Sequence, residues 1–264
     1  MYEFEYRQAK SVADAAALIA RTGGKPLAGG QSLIAAMKLR LAQPGTLVDL
    51  SGITELRGIR REGDAVVIGA MTCHADIASS AEVTRTIPAL AALAEGIGDR
   101  QVRNMGTIGG SIANNDPAAD WPAALVALNA TVVTGKRRIA AGDFFRGMYE
   151  TALADDEIVT GISFPVPAKA AYAKFPSPAS RFALVGVFVA KLADGTVRVA
   201  VTGAAPAVFR ASGIEAALAQ SFTADAAKAV KVDASSLNTD LHASAAYRAH
   251  LTSVMASRAV AACG

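Results

Sequence analysis

Cysteine is almost missing from this chain: Cys73 and Cys263 are the only two in 264 residues. An iron–sulfur cluster normally takes four thiolates, so the chain by itself does not supply one. Histidine is nearly as scarce. His74, His242 and His250 show no HxxxH spacing, and the adjacent Cys73-His74 reads as packing at a helix start in preference to half a metal site. No metal ligands are assigned. Charge of one sign is lacking too, since 26 basic against 23 acidic residues leave only +3. With no Lys/Arg stripe interleaved with aromatics, nucleic acid is not an expected partner. The longest apolar stretches, such as 183–190, fall well short of the roughly 20 residues of a membrane span. The start, Met1-Tyr2-Glu3-Phe4-Glu5, has neither the basic residues nor the apolar run of a signal peptide. The expectation is a soluble, cytoplasmic protein.

Common nucleotide and hydrolase signatures are also absent. Gly135-Lys136 is followed by Arg137 and lacks the upstream glycine of a P-loop, and Gly96-Ile97-Gly98 lacks the third glycine of a Rossmann fingerprint. Ser32 and Ser111 do not stand in a G-x-S-x-G elbow, and no histidine is visibly tied to either. No catalytic residue is assigned.

What the chain does have is two glycine pairs, each followed by a polar residue. The first is Ala28-Gly29-Gly30-Gln31-Ser32-Leu33, and the second, far downstream, is Thr107-Ile108-Gly109-Gly110-Ser111. A glycine pair permits positive φ and puts no Cβ between the backbone and a ligand, so successive N–H groups can converge on an oxyanion. The first pair also opens a predicted helix over 33–40, whose N-terminus favours a diphosphate. Two such loops point to one extended ligand with an anionic centre.

The surrounding pattern places these loops in a two-part α+β chain. A short strand over 3–7, a helix from Ser11 to Ala20 stopped by Gly23-Gly24, a strand over 25–28 and an apolar strand over 46–50 make a first lobe, about 1–57. A hairpin around Glu62-Gly63-Asp64, helices over 84–95 and 121–129, strands over 132–134, 139–140 and 157–164, and a short helix over 141–149 make a second, about 58–167. The prolines at 165, 167, 176 and 178 mark a boundary near residue 168. Beyond it, runs over 182–192 and 196–202 alternate about Ala193-Asp194-Gly195 as a hairpin, and helices follow over 212–220, 224–230 and 243–262. Tyr247, Leu251, Val254 and Met255 form an apolar stripe on the last helix, expected to face the hairpin sheet.

Several ordered segments resemble one known family. Ala28 to Leu33 with Met37-Lys38-Leu39-Arg40, then Gln101 to Ser111, Asp116-Pro117-Ala118-Ala119-Asp120, Asp156 to Val159, Ala173-Lys174-Phe175, Ala179 to Ala183 and Asp240 to Arg248 are similar to the FAD-binding medium subunit of the molybdenum hydroxylases. That family includes carbon monoxide and xanthine dehydrogenases. The resemblance covers nearly the whole chain. It implies a two-lobed FAD-binding domain of the PCMH type over 1–167, then a smaller domain over 168–264 with a three-stranded antiparallel sheet and helices. It further implies an electron-transfer subunit: non-covalent FAD here, the molybdenum cofactor in a large partner, iron–sulfur clusters in a small partner, and a dimer of such heterotrimers. NAD⁺, a quinone or oxygen would be the final acceptor.

The same resemblance implies site residues. Ala28, Gly29, Gly30, Gln31, Ser32 and Leu33 would hold the FAD diphosphate, and Thr107, Ile108, Gly109, Gly110 and Ser111 would add contacts. Ile97 stands where xanthine dehydrogenases carry an aromatic on the flavin, Phe182 matches a position beside the isoalloxazine, and Asp120, Val159 and Lys174 match other contact positions. Three of these have plain alternatives: Asp120 as a helix N-cap, Lys174 as a solvated strand lysine, and Phe182 as strand core. Two other functions stay open, a stand-alone FAD-dependent oxidase and a flavin-free scaffold. The short C-terminal domain weighs against the first and the intact glycine loops against the second.

Overall fold

The computed structural model describes residues 1–263. The first lobe runs β1 (Glu5–Gln8), α1 (Val12–Thr22), β2 (Lys25–Leu27), α2 (Leu33–Lys38) and β3 (Thr46–Asp49), and its three strands are parallel in the order β1-β3-β2. Local chemistry sets α1. The Ser11 hydroxyl accepts from the Asp14 N–H at 3.1 Å, the Asp14 carboxylate accepts from the Lys10 N–H at 2.9 Å, and Gly23 closes the helix with φ 63°. Ala15, Leu18 and Ile19 then pack with Val48, Leu50 and Ile53.

The second lobe begins with the hairpin β4 (Ile59–Glu62) and β5 (Ala65–Gly69). Six helices follow: α3 (His74–Ser79), α4 (Ala81–Thr86), α5 (Pro88–Glu95), α6 (Arg100–Met105), α7 (Ile108–Asn114) and α8 (Trp121–Ala127). Next come β6 (Thr131–Thr134), β7 (Arg138–Ala140), α9 (Ala141–Phe144), β8 (Phe145–Gly147), β9 (Glu150–Thr151) and β10 (Val159–Pro165). Five strands form an antiparallel sheet in the order β4-β5-β10-β6-β7. The helices cover it through a core that includes Ile68, Leu90, Leu93, Ile112, Trp121, Leu125 and Phe164.

Two expected helices differ. The one over 84–95 is split at Ile87, which sits at φ −138°, ψ 72° because Pro88 keeps the residue before it out of the helical region. The one over 141–149 stops at Phe144 and continues as β8. Its chain is captured by buried Asn115, whose Nδ2 donates to the carbonyls of Gly147 and Glu150 at 2.8 Å each, while the Tyr149 N–H donates to the Asn115 carbonyl. The helices α3, α6 and α7 span only six or seven residues, too short for an apolar period to show.

The last third contains β11 (Lys169–Pro176), β12 (Ala183–Lys191), β13 (Val197–Thr202), β14 (Phe209–Arg210), α10 (Ser212–Gln220), α11 (Ala224–Ala229) and α12 (Ala245–Ala262). The antiparallel sheet has three long strands, with two-residue β14 added at its edge. Helix α12 lies on β11 and β12 through Leu251, Met255, Ala256 and Ala259. Tyr247 is exposed, contrary to the expected stripe, and Arg248 is buried beside it. The Arg248 guanidinium donates to the Leu184 carbonyl at 2.7 Å, the Gly203 carbonyl at 2.9 Å and Asp240 Oδ2 at 2.6 Å, which satisfies strand-end carbonyls that a tyrosine could not.

The same strand ends grip the segment just before α8. The Gly203 N–H donates to the Pro117 carbonyl at 2.8 Å and the Thr202 hydroxyl to the Ala119 carbonyl at 2.6 Å. The C-terminal sheet therefore helps fix where Asp120 stands. Among the described residues no helix is long and apolar enough to cross a membrane.

Candidate functional site

The fold brings the two glycine pairs, nearly eighty positions apart, into contact. A Cβ on Gly29 would fall 2.0 Å from the Met105 carbonyl oxygen and 2.8 Å from Gly106 Cα, and one on Gly110 would fall 3.3 Å from Ala28 Cβ. Only glycine at 29 allows so close a seat. Gly30, at φ 70°, turns the chain away from it and into α2.

The two pairs are not equivalent. Among the described residues, the N–H groups of 29–33 have no acceptor within the chain, and the Ser32 hydroxyl makes no capping bond to α2. These donors form an open row. In the second segment four successive N–H groups are spent: Ile108 N–H on the Thr72 carbonyl, Gly109 N–H on the Ala70 carbonyl at 2.8 Å, Gly110 N–H on Thr107 Oγ1 at 3.1 Å and Ser111 N–H on the Thr107 carbonyl. This corrects the expectation of two like cradles. Gly109 and Gly110 lie inside α7 without positive φ, and what needs glycine at 109 is contact, since a Cβ there would fall 2.6 Å from Ala70 Cβ. Thr107 caps α7, and the segment serves as a buttress behind the first loop. Helix α2 ends at Lys38 instead of 40 because Arg40 adopts φ 61°.

A polar wall continues from the buttress. The His74 N–H donates to the Gly106 carbonyl at 3.0 Å, its ring lies against Gly106, and its Nδ1 accepts from Trp121 Nε1 at 3.2 Å. Burial, with Arg103 adding to it, lowers the His74 pKa to about 4, so the ring is neutral at pH 7. Cys73 precedes it at the N-cap of α3 and bridges to Thr107. Packing at a helix start is what this pair does.

Asp120, next to Trp121, is buried and occupies the N-cap position of α8 without capping it. Its Oδ1 instead accepts from the Tyr172 hydroxyl at 2.5 Å and from Lys174 Nζ at 3.0 Å. Burial pushes the Asp120 pKa up, opposed by the Lys174 charge and these hydrogen bonds. Lys174 is not a solvated strand lysine: its side chain is 10% exposed and also donates to the Gly96 carbonyl at 2.8 Å. The Ile97 and Gly98 carbonyls both accept from Arg103 Nη1, and that of Gly98 also from Arg181 Nη1 at 3.2 Å. Phe182 follows, 47% exposed and so not core, while Ile97 is half-buried. Val159 stands apart, buried in the second-lobe core where β10 meets Thr134. Its neighbour Thr160 accepts from the Ala70 N–H, the residue on which Gly109 rests.

One chain of contacts thus links the open loop to Met105-Gly106, His74, Trp121, Asp120, Lys174, Gly96-Ile97 and Arg181-Phe182. Sequence reasoning missed Met105-Gly106, the His74–Trp121 bond and Tyr172. A signal for Tyr172 existed in Gly186, a glycine inside an apolar strand, which implies a close neighbour lying over it.

Residues 2–167 match the family described as the FAD binding domain in molybdopterin dehydrogenase, and residues 170–263 match the CO dehydrogenase flavoprotein C-terminal domain. The chain is 41% identical over 274 residues to the carbon monoxide dehydrogenase medium chain of Hydrogenophaga pseudoflava, covering 97% of this chain and 96% of that one. It is 36% identical over 275 residues to the nicotine 6-hydroxylase medium subunit of Paenarthrobacter nicotinovorans, covering 98% and 96%. In three dimensions it is similar to a chain of the carbon monoxide dehydrogenase of Hydrogenophaga pseudoflava that lacks the Mo-pyranopterin moiety of the molybdenum cofactor. That match has a TM-score of 0.88 and 40% identity, covering 99% of this chain and 97% of that one.

Proposed function

The chain belongs to the family of FAD-binding medium subunits of molybdenum hydroxylases such as carbon monoxide dehydrogenase, and from that premise we propose that it is the electron outlet of a multisubunit dehydrogenase. It is an oxidoreductase subunit that leaves substrate oxidation to its partners. A large partner carries the molybdenum cofactor, and a small one carries iron–sulfur clusters from which this chain collects electrons for a terminal acceptor. The complex is a dimer of heterotrimers in the cytoplasm.

The observation that carries this reading is the open row of N–H donors over 29–33, clamped against Met105-Gly106 where no Cβ intervenes. That donor set fits a diphosphate. Bound there, FAD would supply the redox chemistry. The chain's own residues hold and orient it. The Ala28–Leu33 backbone and the Ser32 hydroxyl take the diphosphate, while Thr107, Ile108, Gly109, Gly110 and Ser111 keep that loop in place. Ile97 and Phe182 are assigned to the isoalloxazine, an aliphatic and an aromatic surface. Asp120 and Lys174 form a paired polar wall that reaches the Gly96 carbonyl beside Ile97, and Val159 supports the site from the core.

The absorption spectrum of the purified chain, taken before and after acid precipitation, tests the cofactor. Flavin released by acid is the expected result; flavin retained on the protein would instead indicate a covalent oxidase, and its absence a scaffold. Co-purification from the native host tests the assembly. Two partner chains should co-elute even in high salt, since a net charge of +3 offers little long-range attraction. A chain that elutes only as a monomer, with flavin that stays oxidised during turnover of the molybdenum subunit, would refute the role.

A further inference from the structure

Tyr172 stands immediately before the Ala173-Lys174-Phe175 segment, and the structure builds a place for its hydroxyl. The ring lies across β12 at Gly186, where a Cβ would fall 2.2 Å from the Tyr172 hydroxyl oxygen and 3.0 Å from Thr202 Cγ2. Phe188 stacks beside it at 6.1 Å between ring centres. A glycine inside a sheet strand gives up packing and backbone order, and here the vacated space is taken by this one ring. The hydroxyl then donates to Asp120 Oδ1, the same oxygen that Lys174 Nζ reaches at 3.0 Å.

The three side chains come from two parts of the molecule. Tyr172 and Lys174 are two residues apart on β11 of the C-terminal sheet, whereas Asp120 begins α8 of the second lobe. Lys174 extends the connection to the Gly96 carbonyl at the end of α5, one residue before Ile97. We propose that Tyr172 is a positioning residue of the flavin site, which fixes the Asp120 carboxylate and through it the Lys174 ammonium, and so couples docking of the C-terminal sheet to the binding of FAD. The proposal rests on the FAD-binding reading of the preceding subsection. Without Tyr172, the buried Asp120 Oδ1 would have Lys174 as its one side-chain partner. With Tyr172 in place, one oxygen carries both donors, and the lysine can span Asp120 and Gly96 at once.

The test uses the full chain and FAD itself. Tyr172→Phe keeps the ring and removes the hydroxyl, while Gly186→Ala keeps the hydroxyl and drives the ring from its seat. Both should weaken FAD binding about tenfold, the loss expected for one hydrogen bond to a charged group. Both should also shift the visible absorption band and midpoint potential of the bound flavin, which a purely structural tyrosine would leave in place. Tyr172→Phe should retain the parent's circular dichroism in the flavin-free form, so it decides the matter even if Gly186→Ala misfolds. A Tyr172→Phe chain with parental FAD affinity, spectrum and potential overturns the proposal alone. A parent chain that does not bind FAD overturns both it and the function proposed above.

Discussion

Gly29→Ala adds one carbon atom at the closest contact between the two glycine segments. Its Cβ would fall 2.0 Å from the Met105 carbonyl oxygen, 2.7 Å from the Met105 carbonyl carbon and 2.8 Å from Gly106 Cα. All three are backbone atoms, so no side-chain rotation relieves the clash, and the loop must retreat from α6 by about 1 Å to reach an ordinary contact distance. Overpacking of this kind costs about 1–3 kcal/mol of stability. The larger effect falls on the ligand. The N–H groups of 29–33 move with the loop, and misaligning two hydrogen bonds to a charged group removes about 3–6 kcal/mol of binding. FAD affinity should therefore fall by roughly 10²–10⁴-fold. Titration of the flavin-free chain with FAD, followed by flavin fluorescence, measures that loss, and thermal unfolding of the same samples measures the structural cost. Gly63→Ala is the control: Gly63 has φ 56° with nothing near its missing Cβ, so alanine there should cost about 1 kcal/mol of stability and leave FAD binding alone. Unchanged FAD affinity in Gly29→Ala would show that the seat on Met105 does not position the donors, and the cradle assignment would fall.

Two further perturbations probe other parts of the frame. Acid should destabilise the chain in two successive windows: His74 has a folded pKa of about 4 against 6.5, so its stabilisation is complete above pH 6.5 and lost as pH falls towards 4. Glu157, held down to about 2 chiefly by Arg137, contributes fully above pH 4.5 and loses its share as pH falls towards 2. Each is worth on the order of 3 kcal/mol. Urea midpoints measured against pH should flatten in the upper window for His74→Gln and in the lower for Glu157→Gln, and parallel curves for parent and variants would contradict the assignment. Asn115→Ala should cost about 2–4 kcal/mol, because it forfeits two hydrogen bonds and places alanine at φ 46°. Amide exchange should show the loss concentrated at residues 145–151, and protection there equal to the parent's would argue against capture of the hairpin by Asn115.

The amino-acid sequence determined the elements whose signals are local. Ser11 and Gly23 bracket α1, Gly63 turns the β4–β5 hairpin, Ala193-Asp194-Gly195 turns β12 into β13, and the long apolar period of the C-terminal residues yields α12, because caps, positive φ and periodicity act within a few residues of one another. The likeness of ordered segments also carried the family and the ligand. Local signals could not tell the two glycine pairs apart. The first pair is an open row of donors and the second a closed helical buttress, and that difference arises from acceptors on Thr72 and Ala70, which only the folded chain brings to residues 108 and 109. Tertiary contact likewise ended the expected helix at Phe144, since Asn115 offers the backbone a better partner than its own next turn. It put Arg248 in the core in place of Tyr247, because strand-end carbonyls needed a donor. It also joined Asp120, Lys174 and Tyr172 in one buried cluster. Each of those three residues has an ordinary role when read alone, and their shared chemistry depends on distances that no spacing along the chain encodes.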